Sequence, residues 1–278
     1  QKINKSPIQG ISETLNIDFR APKILRNNQE EYEFLKDLNA DLAIVVAYGQ
    51  IIPKNFLGLT KKGFINIHGS ILPRWRGAAP IQRAIMNQDN ETGISLMKIT
   101  SELDAGPVMM KSKINISKKT NFEELSEKLS NLGAEIILKG LDLIEKDKAN
   151  FVKQNDQEAT YAKKINKIEG KINWTDQADK VIAKINALNP NPGSWFNYSG
   201  TRLKIIEAKE INVSKSISLI NDKNLKIGEL RSGVYSPHFK KVIGIAMIDK
   251  PYCKVSETFK ISINGDVFEG KVCDLPFI

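Results

Sequence analysis

The fold is decided by residues 41–70, which read DLAIVVAYGQIIPKNFLGLTKKGFINIHGS. A continuous apolar run at 42–47 has the length and composition of a strand that is buried on both faces. A second short strand is predicted at 64–68. Side chains alternate between the two faces of a strand, so Asn66 and His68 share one face of it.

Helical and strand patterns alternate around this stretch. Apolar spacing predicts helices over residues 30–38, 78–86 and 121–145, and a further strand over 92–99. Strands that alternate with helices indicate the α/β class, with an open sheet of the parallel type.

The pattern changes after residue 148. We predict a first domain at 1–148, a Lys- and Asn-rich linker over the surface at 149–170, and a second domain at 171–278. The second domain opens with a helix over 177–188, which the sequence NPNPG then stops. Short alternating apolar runs follow and predict an all-β region, a small β-barrel.

Composition restricts the classes of function. The 278 residues contain no apolar run long enough to span a membrane, and we expect no membrane partner. Two distant cysteines, Cys253 and Cys273, argue against a metal site and predict two free, buried thiols in a reducing compartment. We interpret His238 as structural. The net charge of +9 fits either a Lys-rich proteome or a polyanionic partner, and charge alone leaves both open.

Three polar residues suggest catalysis. Asn66 and His68 end a strand, where open α/β sheets bind ligands, and Asp104 lies in a later turn. An amide can stabilise a developing oxyanion, an imidazole can transfer protons, and a carboxylate can orient the imidazole. No Ser or Cys nucleophile is paired with His68, which favours direct transfer between two bound substrates. Alternatively, Asn66 and His68 satisfy loop backbone groups and Asp104 is an ordinary turn residue.

The longer sequence carries a resemblance. Residues 66–84, NIHGSILPRWRGAAPIQRA, resemble the signature of the methionyl-tRNA formyltransferase family. Residues 45–53, VVAYGQIIP, and 103–106, LDAG, are similar to the same family, and the resemblance extends to about residue 212. The shorter pattern of Asn, His and Asp is shared with other enzymes that use 10-formyltetrahydrofolate, such as glycinamide ribonucleotide formyltransferase.

The resemblance implies a reaction and roles for these residues. A formyl group would pass from the co-substrate 10-formyltetrahydrofolate to the amino group of initiator methionyl-tRNA, without a metal, in a monomer of the bacterial cytoplasm. Asn66 and His68 would polarise the formyl oxygen, while Asp104 would hold His68 and help to remove the amine proton. Lys2 and Lys5 would be candidates for tRNA phosphate contacts. The implied folate contacts are Ser70, Ile71, Leu72, Pro73, Tyr48, Gly49 and Ile51.

The chain departs from the family pattern at both ends. The family has a strand-helix-strand unit before the position of Gln1, and a sheet without that unit would have an unpaired edge. Residues 225–278 resemble instead the last domain of the glycine-cleavage aminomethyltransferase, which also uses tetrahydrofolate. The chain would then be a fusion or a chimera of two genes. Two alternatives follow: a formyltransferase acting on a small amine, and an inactive chimera that binds folate or RNA.

Overall fold

A computed structural model describes residues 5–198, 200–208, 217–236, 241–249, 251–263 and 266–272. The helices are α1 (Pro7–Thr14), α2 (Gln29–Asp37), α3 (Pro80–Met86), α4 (Phe122–Glu145) and α5 (Ala178–Leu188). The strands are β1 (Ala43–Val45), β2 (Phe64–His68), β3 (Glu91–Lys98), β4 (Val108–Asn115), β5 (Ser194–Tyr198), β6 (Thr201–Ile205), β7 (Ile217–Ile220), β8 (Lys226–Ser236), β9 (Lys241–Ile248), β10 (Thr258–Ile263) and β11 (Asp266–Lys271). Each helix and strand predicted for the first region is found within a few residues of its expected bounds.

The first sheet has the order β1-β2-β3-β4. It is open and is covered by helix, which confirms the α/β class. Only β1 and β2 run parallel, whereas β3 is antiparallel to both β2 and β4. The sheet is therefore mixed rather than wholly parallel.

Strand β1 differs from its prediction. The strand expected at 42–47 is only three residues long, and Ile44 and Val46 are 44% and 56% exposed. The prediction of burial on both faces is wrong here because β1 lies at the edge of the sheet and pairs with β2 alone among the described strands.

Helix α4 builds the main core against the sheet. Its N-cap is Asn121, whose side chain accepts a hydrogen bond from the backbone of Glu124 at 2.9 Å. Its apolar face packs on β3 and β4, and the helix comes so close that a Cβ at Gly140 would lie 2.7 Å from Leu96. The buried core residues are Ile65, Ile85, Ile94, Leu96, Leu125, Leu129, Ile136, Ile137, Ile144, Ala187 and Leu188.

Residues 149–170, for which a linker is predicted, are fastened to the first region. Val152 exchanges two backbone hydrogen bonds with Val108, at 2.8 and 2.9 Å. Further along, the amide of Ala162 donates to the carbonyl of Arg76 at 2.7 Å. The domain boundaries themselves stay a prediction.

The second region is all-β after α5, as predicted. Strands β5 and β6 form a hairpin, and a separate antiparallel sheet has the order β11-β10-β7-β8-β9 around buried Leu219, Ile227, Leu230 and Ile261. Neither sheet closes on itself within the described residues. The described part of the region is therefore a hairpin and a separate open sheet, which is barrel-like without being a closed barrel.

The structure also bears on the predictions made for single side chains and for membrane spans. Cys253 is exposed, so the predicted burial of this thiol is wrong; it lies in a surface turn between β9 and β10. Cys273, His238 and Lys2 lie outside the described residues. Among the helices that the structure describes, none combines the length and the apolar character of a membrane span.

Gly93 tests the packing of the first sheet. A Cβ there would lie 1.9 Å from the carbonyl oxygen of Ser112 and 2.6 Å from Ile71, so strands β3 and β4 would have to separate. We expect Gly93→Ala to lower the free energy of unfolding by about 2–4 kcal/mol in denaturant titration.

The matched control is Gly10→Ala in α1, where a Cβ would meet nothing within 4 Å. We expect it to change the free energy of unfolding by less than about 1 kcal/mol. Equal stability of the two variants would contradict the described pairing of β3 and β4.

Candidate active site

Strand β2 carries two of the three predicted catalytic residues, Asn66 and His68. The neighbouring strands fix the register of both residues, because Asn66 pairs with Val45 of β1 and His68 pairs with Ser95 of β3. His68 is only 5% exposed, and Asn66 is half-buried. The alternate residue Ile65 is fully buried in the core, so the predicted division of faces is confirmed.

The ring of His68 is held by the loop that follows the strand. Its Nε2 lies 2.9 Å from the carbonyl oxygen of Trp75. A carbonyl can only accept, so the proton of the neutral ring is on Nε2, and Nδ1 is left as an acceptor. The backbone amide of Trp75 in turn donates to the hydroxyl of Thr160 at 2.9 Å, which fixes the carbonyl in place.

Asp104 completes the group. One carboxylate oxygen, Oδ1, lies 3.4 Å from the side-chain nitrogen Nδ2 of Asn66. The other oxygen, Oδ2, lies 3.6 Å from Nδ1 of His68. Oδ2 also accepts a hydrogen bond from the backbone of Gly77 at 2.8 Å. The three residues that the sequence singled out therefore meet at the end of β2.

This arrangement can perform acyl-type transfer. The half-buried amide of Asn66 carries N–H donors for an oxygen that gains negative charge. Nδ1 of His68 can take up a proton directly beside the carboxylate of Asp104, which would then compensate the ring's positive charge. Among the described residues, no three His, Cys, Asp or Glu side chains are grouped as a metal site would require.

Other functional contacts were not predicted. The carbonyl of Trp75 and the amide of Gly77 lie inside the quoted signature, but only the fold shows that they bind His68 and Asp104. Gln154 donates to the backbone carbonyls of Asp104 and Gly106, at 2.8 and 2.7 Å. It lies in the Lys- and Asn-rich segment, where no local sequence pattern marks it.

Two of the predicted folate contacts are interior residues of the loop. Ser70 and Leu72 have no exposed surface. The hydroxyl of Ser70 donates to the carbonyl of Arg74 at 2.5 Å, and the hydroxyl of Ser95 links Ser70 to Leu72. The Ser70 hydroxyl and the Leu72 backbone amide thus hold the loop in shape, whereas Ile71 and Pro73 are half-buried and border its surface.

The other predicted folate contacts lie on a loop at the end of β1. Because Val45 pairs with Asn66, this loop begins beside the catalytic end of β2. Tyr48 and Ile51 are 41% and 74% exposed, and Gly49 is exposed as well. The side chain of Gln50 accepts from Leu25 and donates to Pro22, which anchors the loop. The result is an exposed apolar surface next to the polar group.

Asp89 clamps the loop that binds His68. Burial alone would raise the pKa of this carboxyl, but donors outweigh burial and hold its pKa below the usual range. Arg74 donates to it at 2.5 and 3.0 Å, the indole of Trp75 at 2.7 Å and the amide of Asn87 at 2.7 Å. The ionised carboxylate therefore stabilises the folded loop.

Removing this charge should lower stability in a pH-dependent way. We expect Asp89→Asn to cost about 1–2 kcal/mol of unfolding free energy at neutral pH. A lowered folded-state pKa gives stability that is present above the unfolded-state pKa and is lost as pH falls through the folded-state value. The difference between the two proteins should therefore shrink below about pH 4, measured by denaturant titration across pH.

Asp18→Asn is the control, because Asp18 is an exposed carboxylate of the same chemistry. It should leave stability within about 0.5 kcal/mol at every pH. A difference between wild type and Asp89→Asn that does not depend on pH would contradict the role of the ionised carboxylate.

Comparison with known families gives two matches. Residues 3–141 match the family described as Formyl transferase, and residues 203–278 match the Glycine cleavage T-protein C-terminal barrel domain. The resemblance of the N-terminal part to formyltransferases and that of the C-terminal part to the glycine-cleavage barrel domain are thereby confirmed. The first match ends within α4 and the second begins within β6, so residues 142–202, which include α5, lie between the two matched segments.

Curated relatives agree with the first match. The methionyl-tRNA formyltransferase of Pelagibacter ubique is 54% identical over 227 residues, which are 82% of this chain and 73% of the relative. That of Fusobacterium nucleatum is 34% identical over 269 residues, covering 92% of this chain and 86% of the relative.

Solved structures share the fold at low identity. WlaRD, a sugar 3N-formyl transferase solved in the presence of dTDP and 5-N-formyl-THF, has a TM-score of 0.61 and 19% identity, covering 87% of this chain and 82% of that one. HypX from Aquifex aeolicus, in complex with tetrahydrofolic acid, has a TM-score of 0.56 and 16% identity. The match covers 81% of this chain and 40% of HypX. With the family match and these relatives, the chain belongs to the methionyl-tRNA formyltransferase family.

Proposed function

We propose that this protein transfers a formyl group from 10-formyltetrahydrofolate to the amino group of methionyl-tRNA, and that Asn66, His68 and Asp104 carry the reaction. The observation that supports this most directly is the meeting of one amide, one imidazole and one carboxylate at the end of β2. The names of the curated relatives support the same activity. The group contains an oxyanion donor and a proton acceptor and needs no nucleophile of its own.

The proposed roles follow from the contacts. The folate, when bound, supplies an activated formyl group. Asn66 donates a hydrogen bond to the formyl oxygen as the amine of the methionyl group forms its bond to the formyl carbon. Nδ1 of His68 faces Asp104 at 3.6 Å, so this pair receives the proton that the attacking amine loses and returns it to the departing folate nitrogen.

The exposed loop at the end of β1 suits the folate. A pteridine ring is flat, and Tyr48 and Ile51 offer exposed apolar surface beside Asn66. Gly49, with φ of 75°, has no atom within 4 Å of where a Cβ would stand, so backbone there is open to a ligand. Ile71 and Pro73 border the other side, while Ser70 and Leu72 act through the loop backbone.

The tRNA is the second substrate. The net charge of +9 is compatible with a polyanionic partner such as tRNA, and Lys5 stays a candidate for a phosphate contact. The division into a catalytic domain at 1–148, a connecting segment at 149–170 and a β-rich domain at 171–278 is part of this proposal. So are a monomeric state and a cytoplasmic location, which fit enzymes that act on tRNA.

A formylation assay decides between the substrate classes. Radiolabelled formyl transfer from 10-formyltetrahydrofolate is measured to methionyl-tRNA and, in parallel, to a dTDP-linked amino sugar. We expect transfer to methionyl-tRNA only, with a KM that rises steeply with salt because phosphate contacts displace counterions. Transfer to the amino sugar, or folate binding without any transfer, would contradict the proposed function.

Single substitutions test the catalytic group. We expect His68→Ala and Asp104→Asn each to lower kcat by about a hundredfold or more, since each removes part of the proton-transfer pair. Asn66→Ala should have a similar effect through the lost oxyanion donor. Initial rates at saturating substrates provide the measurement.

Asn90→Ala is the matched control, because Asn90 is an exposed asparagine in the turn before β3. It should retain the wild-type kcat. A folded His68→Ala protein with the kcat of wild type would remove His68 from the mechanism.

A further inference from the structure

The backbone of Asp104 is in an unfavourable conformation. Its φ of 46° is left-handed, a region that costs energy for residues other than glycine, although Asp tolerates it better than most. The carboxylate contacts described above depend on this turn, because φ sets the direction of the side chain. Contacts from outside the turn that stabilise this conformation would therefore also fix the direction of the carboxylate.

Gln154 makes the contacts that hold this turn. Its Nε2 donates to the carbonyl of Asp104 at 2.8 Å and to the carbonyl of Gly106 at 2.7 Å, which uses both of its hydrogens. Its Oε1 accepts from Nε of Arg76 at 3.0 Å. The orientation of the amide is unambiguous, because both carbonyls can only accept and the guanidinium can only donate.

The anchoring group is itself buried and fixed. Gln154 and Arg76 are 7% and 3% exposed. Arg76 pairs with Asp156 at 2.8 Å, and its backbone amide donates to the carbonyl of Thr160 at 2.8 Å. The neighbouring residue Gly77 supplies the N–H that binds the Asp104 carboxylate. Both sides of Asp104, its backbone and its side chain, are thus tied to residues 76–77 and 154.

We infer that Gln154 is a positioning residue for formyl transfer: it locks the Asp104 turn in the conformation that aims the carboxylate at His68 and Asn66. This inference rests on the proposed function. Gln154 does not touch the reacting atoms, and it acts only through Asp104. Loss of its two donors should let the turn relax and should displace the carboxylate, which lowers kcat while substrate binding is retained.

The test compares Gln154→Glu with Gln157→Glu. The first change keeps size and the acceptor for Arg76 but removes both donors. The second makes the same chemical change at an exposed position of the same segment. We expect Gln154→Glu to lower kcat by about tenfold or more with both KM values within about threefold of wild type, and Gln157→Glu to match wild type.

A double-mutant cycle separates positioning from a general structural role. In an Asp104→Asn background, whose carboxylate is already gone, Gln154→Glu should lower kcat by less than about twofold further. Effects that multiply independently would overturn the inference, as would a wild-type kcat in folded Gln154→Glu. If wild type transfers no formyl group, the proposed function fails instead, so the two failures are distinguishable.

If Gln154→Glu does not fold, Gln154→Asn tests the positioning role of Gln154 instead. It keeps a neutral amide in the buried site but is one methylene too short to reach both carbonyls. We expect it to fold, as judged by circular dichroism and melting, and to lower kcat by about threefold to tenfold. A wild-type kcat in this variant would overturn the inference.

Discussion

The carboxylate of Asp104 accepts a hydrogen bond from the backbone of Gly77 at 2.8 Å and lies 3.6 Å from Nδ1 of His68, although its own residue has a left-handed backbone. The other parts of the site are arranged around this constraint. The same loop that supplies Gly77 supplies the Trp75 carbonyl, which fixes the opposite side of the His68 ring. A shift of the loop therefore disturbs the proton acceptor and its partner together.

The constraint also explains why a connecting segment belongs to the site. Residues 152–162 pair with β4 through Val152, and with the loop through Thr160 and Ala162. Gly77, with φ of 114°, allows this approach, since a Cβ there would lie 2.9 Å from the carbonyl oxygen of Ala162. Catalytic geometry and attachment of the segment are thus produced by the same contacts.

Part of this was predictable from sequence. Strand periodicity placed Asn66 and His68 on one face, because alternation is a local property of the chain. The length and burial of β1 were not predictable, because they depend on which neighbours the strand has. The contact of Asp104 with β2 depends on Gly106, where a Cβ would lie 1.8 Å from the carbonyl of Lys98, and such tertiary closeness leaves no local signal. The burial of Gln154 escaped prediction for the same reason.

The geometry of the site holds His68 with its proton on Nε2 and its Nδ1 directed at Asp104. Nitrogen-15 NMR of the histidine-labelled protein tests this directly, with His68→Ala used to assign the two histidine spectra. At a pH where the ring is neutral, we expect a protonated Nε2 and an unprotonated Nδ1 for His68. A ring with its proton on Nδ1 would contradict this assignment, because the 2.9 Å contact of Nε2 with the Trp75 carbonyl needs a donor, whereas Nδ1 and Asp104, 3.6 Å apart, are too distant for a hydrogen bond.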